Sequence, residues 1–232
     1  MSILPYYGFD IYYLILVLPA ILISAVAGIK VKTTFAKYSS VFVGISGAEA
    51  ARRVLYAAGV TNVRIERVAG SLTDHYDPKS NVIRLSEKVY GANTVSAVGV
   101  ACHEAGHAIQ YAVGYTPIKI RAAVIPACQF ASNFSWIALF IGLIFNFDKL
   151  IIAGIALFSL VVLFQLITLP VEFNASIRAV NAIKENGILD SRELSGAKKV
   201  LTAAAMTYVA ALLTSLAQFL RLILLFGRRN DK

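Results

Sequence analysis

The sequence predicts a mainly α, polytopic membrane protein with about four transmembrane helices and a small cytoplasmic α+β region. Three observations predict it. Of 232 residues, 58% are hydrophobic, and the mean hydropathy is +0.69. Only 15% are charged, against roughly 25% in an ordinary soluble domain. The apolar residues also gather into four runs, each close to the ~20 that a helix needs to cross the hydrocarbon core.

The runs are Ile11 to Ile29, about Ala122 to Phe145, Leu150 to Leu169, and about Leu201 to Phe226. Gln129, Ser132 and Asn133 interrupt the second, Gln165 is the strongly polar residue of the third, and Arg221 lies near the end of the fourth. Small residues at Ala25 and Ala27 resemble a signal-peptide cleavage site, but no Lys or Arg precedes the first run. The positive n-region of a secretory signal is therefore missing, and an uncleaved anchor is expected.

Net charge is +9, and its placement sets the orientation. Lys30, Lys32 and Lys37 follow the first run, and Lys119 and Arg121 precede the second. The intervening segment therefore belongs in the cytoplasm. The turn between the second and third runs holds Lys149 alone, whereas Val171 to Val200 carries Arg178, Lys184, Arg192, Lys198 and Lys199. That stretch returns to the cytoplasm. Arg228, Arg229 and Lys232 then stand on the wrong side of a fourth crossing, unless that run lies along the membrane or folds back. No basic patch is interleaved with exposed aromatics, so nucleic acid is not an expected partner. The two cysteines, Cys102 and Cys128, form no disulfide framework.

This divides the chain into an anchor (1–29), a cytoplasmic α+β region (30–121), a transmembrane hairpin (122–170), a cytoplasmic helical segment (171–200), and a final transmembrane or interfacial helix with its tail (201–232). Within the α+β region, Ser46 and Glu49 form a capping box that opens a helix to about Ala58, stopped by Gly59. Val63 to Val68 reads as a strand. Ser71 to Tyr76 and Val82 to Ser86 read as a hairpin around Asp77-Pro78-Lys79-Ser80. From about Thr94 to Val113 the pattern is helical.

That helix carries His103-Glu104-Ala105-Gly106-His107, an H-E-x-x-H sequence. Residues four apart share a helical face, so both imidazoles can reach one zinc ion. Glu104, beside them, is placed to act as general base. Zinc would lower the pKa of a bound water to about 7, within reach of a carboxylate. Two of the three histidines fall in this pattern, which random placement produces in roughly one such chain in a thousand.

A catalytic zinc takes a third protein ligand and keeps one position open. Glu172 is the candidate. It follows Pro170, whose ring removes a helix hydrogen bond and would kink the chain there. A carboxylate in otherwise apolar sequence needs a partner. Two runs separate it from His107, and an even number of crossings returns the chain to the same face. Ser176, one turn further on, can support a ligand by hydrogen bonding. His75 on the hairpin and Tyr111, one turn after His107, are candidates to line the site. The hairpin can also offer an edge strand to an extended peptide.

At these residues the chain resembles the YugP-type neutral zinc metallopeptidases, membrane peptidases of prokaryotes. The likeness runs through Ser71 to Pro78, Val82 to Ser86, Gly99 to Gln110 and Leu169 to Ser176, the last two segments being specific. More distantly it is similar to the HtpX and CAAX-prenyl membrane proteases, which pair H-E-x-x-H with a downstream Glu-x-x-x-Asp. Glu172 matches that glutamate, and Ser176 stands where the aspartate would be. The resemblance implies a zincin-like region, zinc as cofactor, and hydrolysis of peptides or membrane proteins at the cytoplasmic face of the cell membrane. Two other readings use the same residues. A site-2-type intramembrane protease would take Asp190 as its third ligand, and a non-catalytic membrane scaffold would close the zinc site with a fourth protein ligand.

Overall fold

The structure, a computed structural model, describes residues 10–227. It is mainly helical with one small sheet. In chain order the elements are α1 (Leu18–Ser39, entered through a π-helical turn at Tyr13–Val17), α2 (Gly47–Ala57), β1 (Arg64–Val68), β2 (His75–Asp77), β3 (Val82–Ser86), α3 (Glu87–Tyr90), α4 (Val95–Ala112), α5 (Thr116–Ile144), α6 (Asp148–Glu185) and α7 (Ser191–Phe226). Among the described residues, four helical spans are long and apolar enough to cross a membrane: Tyr13–Ser39, Thr116–Ile144, Asp148–Glu185 and Ser191–Phe226. Each covers most or all of one of the four apolar runs and extends beyond it into polar sequence. The basic residues Arg228, Arg229 and Lys232 lie outside the described residues.

The chain forms two compact units, each assembled from separate stretches of sequence. One comprises Ala27–Ala122 and Ile167–Tyr208. Its core is built where α2 packs on α4, with Val54, Leu55, Ile83, Leu85, Val98, Ala101 and Ala105 buried together. α2 begins as its capping box requires: Ser46 adopts an extended backbone and its hydroxyl accepts from Glu49 N. Thr94 caps α4 in the same way, accepting from Ala97 N. Gly59 follows α2 with φ +71°, a left-handed conformation that glycine adopts without a Cβ penalty.

The sheet has the order β1-β3-β2. β1 pairs with β3 in parallel, Ile65 opposite Ile83, and β2 pairs antiparallel with β3, Tyr76 opposite Ile83. The expected hairpin is present, but its first strand is only three residues long. Asp74 is drawn off the strand, because its carboxylate accepts from Ser86 N at 2.7 Å and from the Ser86 hydroxyl at 3.1 Å. Asp77 closes the turn, accepting from Lys79 N at 2.9 Å, the Ser80 hydroxyl at 2.6 Å and Arg84 Nη1 at 3.0 Å.

The second unit comprises the described part of Met1–Val26, Ala123–Leu166, and the described part of Val209–Lys232. Here α5 and α6 form a hairpin whose helices approach closely at small residues. A Cβ on Gly154 would stand 3.0 Å from both Leu139 N and Ser135 O, the small-residue packing by which membrane helices gain contact. Large apolar side chains face outward, Phe140 at 69% exposure and Ile137 at 50%; in water such a surface would be a liability, and in lipid it is solvated. The charged side chain Arg221 is paired: its Nε donates to Asp10 at 2.7 Å while its guanidinium lies over the Tyr13 ring.

α6 is one helix from Asp148 to Glu185 with Pro170 inside it. The missing amide costs one helical bond, a loss that membrane helices accommodate through neighbouring groups.

Candidate metal centre

Four side chains on two helices make the centre. α4 carries His103, Glu104 and His107, and α6 carries Glu172. The helices meet closely because Gly106 faces the α6 backbone: a Cβ there would lie 2.6 Å from Ala175 O. This proximity brings the two faces to side-chain reach. Glu172 is buried, 2% exposed. Its Oε2 stands 3.2 Å from His103 Nε2 and 3.5 Å from His107 Nε2. The three donor atoms lie within 4.8 Å of one another, and among the described residues they form the group able to hold a metal ion.

The donor set fits zinc. Bond lengths near 2.1 Å to nitrogen and oxygen at a tetrahedral ion separate neighbouring donors by roughly 3.4 Å, and the two carboxylate–imidazole distances straddle that value. The tautomers also fit. Gln110, fully buried, donates its amide Nε2 to Val171 O at 2.9 Å and to Asn174 Oδ1 at 3.0 Å. With both amide hydrogens so placed, its Oε1 must accept, and it lies 2.9 Å from His107 Nδ1. His107 therefore carries its hydrogen on Nδ1 and turns the Nε2 lone pair toward Glu172. Ser176 holds His103 Nδ1 in the same way at 3.2 Å. Such support fixes ligand orientation in zinc proteins. Burial lowers the His107 pKa, but in the protonated ring the hydrogen bond it donates to Glu172 and the nearby charge of Glu104 outweigh burial and raise the value above that of an ordinary histidine.

Sequence reasoning anticipated the convergence of His103, His107 and Glu172, and the contact of Ser176. The other two candidates are outside the metal-binding group itself. His75 is exposed on β2, its Nδ1 2.7 Å from Thr73 O, and it is not part of the metal-binding group. Tyr111 packs against Tyr76 with ring centroids 5.6 Å apart. Asp190 is spoken for as the cap of α7, accepting from Arg192 N and Glu193 N at 2.8 and 2.7 Å. That use leaves a site-2-type ligand role for it without structural support.

Three residues of the centre went unnoticed in the sequence. Gln110 sits within the motif segment, where burial of an amide three residues after a histidine is a usable signal. Arg121, whose Nη1 donates to Glu172 Oε1 at 3.0 Å, looked like one more flanking cation. Tyr208 of α7, close enough to interact with Glu172, Arg121 and Glu104, carried no local signal.

Comparison with known proteins places the chain in a family. Residues 13–227 match the family described as "Putative neutral zinc metallopeptidase". The chain is 46% identical over 222 residues, 95% of its length and 99% of the relative's, to the "Putative membrane protease YugP" of Bacillus subtilis (strain 168). No solved structure matches. On this match, which takes in nearly the whole chain, the protein belongs to the neutral zinc metallopeptidase family.

Proposed function

We propose that the protein is a membrane-embedded zinc metalloendopeptidase in which His103, His107 and Glu172 hold the metal and Glu104 is the general base. The observation that carries this reading is the convergence of two imidazole Nε2 atoms and one buried carboxylate oxygen, each imidazole held by its other nitrogen. When bound, zinc supplies Lewis acidity to a substrate carbonyl and makes water acidic enough for a carboxylate to deprotonate. Glu104 lies on the same helix, 8% exposed, where it takes a proton from the attacking water and returns it to the leaving amine as the C–N bond breaks. Substrates are peptides or membrane proteins approached from the cytoplasm, the side on which charge placement puts the zincin-like 30–121 region. β2, at the edge of the sheet, offers backbone groups to which an extended substrate can add as a strand.

The test is metal content and casein cleavage by the protein purified in detergent. Glu172→Ala should lose stoichiometric zinc. Glu104→Gln should keep its zinc and lose at least ~10²-fold in activity, the usual share of general-base catalysis. Undiminished proteolysis by Glu104→Gln would end the proposal.

A further inference from the structure

We infer that Arg121 is a positioning residue that restricts Glu172 to ligation through a single oxygen; the inference rests on the metal-centre reading above. A carboxylate beside a metal ion can offer one oxygen or both. The second oxygen of Glu172 is taken, because Oε1 lies 3.0 Å from Arg121 Nη1, while Oε2 alone faces the imidazoles. The guanidinium is fixed in charge and rigid in shape, so it holds one oxygen in one place.

Two features argue that this contact serves geometry. First, Arg121 gives something up for it: its Nε is buried and has no hydrogen-bond partner among the described residues, a costly state for a donor. Second, a cation beside the carboxylate of a dication site repels the dication, which a site shaped for affinity alone would avoid. Held on one oxygen, Glu172 leaves the fourth coordination place free, and that openness distinguishes catalytic from structural zinc sites. Freed from Arg121, the carboxylate would rotate about its terminal bond and contribute both oxygens, filling that place.

The experiment uses full-length protein in detergent, loaded with Co(II) in place of zinc. Four-coordinate cobalt absorbs visible light far more strongly than five-coordinate cobalt. Wild type should show the strong four-coordinate spectrum. Arg121→Met should bind cobalt stoichiometrically with a weakened, five-coordinate spectrum, and lower kcat for casein about 10²-fold at little changed KM, as misplacement of a reacting group does. Arg121→Lys, able to hold one oxygen as a point charge, should restore much of the intensity. A four-coordinate spectrum and wild-type kcat in Arg121→Met would overturn the inference and leave the metal centre standing. Failure of wild type to take up cobalt would overturn the metal centre itself. If Arg121→Met does not fold, Arg121→Ala, which removes the contact without adding bulk, decides: a weakened five-coordinate spectrum with lowered kcat supports the role, and a wild-type four-coordinate spectrum with unchanged kcat refutes it.

Discussion

Replacing Gly106 with alanine places a Cβ 2.6 Å from the carbonyl oxygen of Ala175 and 3.3 Å from that residue's Cα and carbonyl carbon. Ordinary contact begins near 3.4 Å, so the α6 backbone must withdraw by about 0.8 Å. The obstructing atoms are backbone and have no rotamer to retreat into. Over-packing of this kind costs about 1–3 kcal/mol, and alanine returns about 1 kcal/mol of helix propensity relative to glycine. Net destabilisation is therefore small, about 0–2 kcal/mol, or a few degrees in Tm. The metal centre is far less tolerant. Ala175 is one turn from Glu172, and metal-ligand distances must hold to within about 0.2 Å. Zinc affinity should fall at least about tenfold, ~1.4 kcal/mol, measured by competition against a chelating dye. Gly99, on the same helix, is the control. A Cβ there meets Ala197 at 3.6 Å, ordinary contact, so Gly99→Ala should keep its zinc affinity and gain up to ~1 kcal/mol from helix propensity. Wild-type zinc affinity in Gly106→Ala, with an unchanged or raised Tm, would refute the argument that this helix crossing sets the centre.

Two other outcomes follow from contacts around the site. Gln110→Leu strands the His107 Nδ1–H without an acceptor; zinc affinity should drop about 10–100-fold while the far-ultraviolet circular dichroism stays that of wild type, and unchanged affinity would show that the amide does not orient the ring. Asp77 is held well below the usual carboxylate range by the Ser80 hydroxyl, then Arg84 and the Lys79 amide. A depressed folded pKa means its contribution is present above the ordinary value of 3.8 and is lost as pH falls through the lower folded value. Hydrogen exchange at the 77–81 turn should therefore stay protected down to about pH 4 and loosen only below it, whereas Asp77→Ala should expose the turn already at neutral pH.

The chemistry-bearing helix was readable because its information is local. A period of four residues places His103 and His107 on one face regardless of what packs against them, and Ser46, Gly59 and Thr94 announce helix ends through their own backbone and side-chain chemistry. Glu172 was readable for another reason: a buried acid beside an apolar run has few physical explanations, and an even number of apolar runs, two, lies between it and His107. Arg121 shows where such reasoning stops. A cation at the foot of a span satisfies the topological rule and needs no further account, yet it also reaches a carboxylate fifty-one positions later. Local pattern carries no signal for a partner at that separation. Tyr208 is similar, one aromatic residue in an apolar helix until α7 is packed. The shortened β2 has a comparable cause, since the Asp74 carboxylate competes for the amide and hydroxyl of Ser86 across the sheet.

Both units are discontinuous in sequence, and this orders events during synthesis. A ribosome that has reached the end of α5 has made His103 and His107 but not Glu172, which arrives only after most of the apolar part of α6 has been translated. Until then a nascent chain carries two of the three donors of the candidate metal group, so under the proposed function it can neither hold zinc nor cleave a peptide before α6 is made.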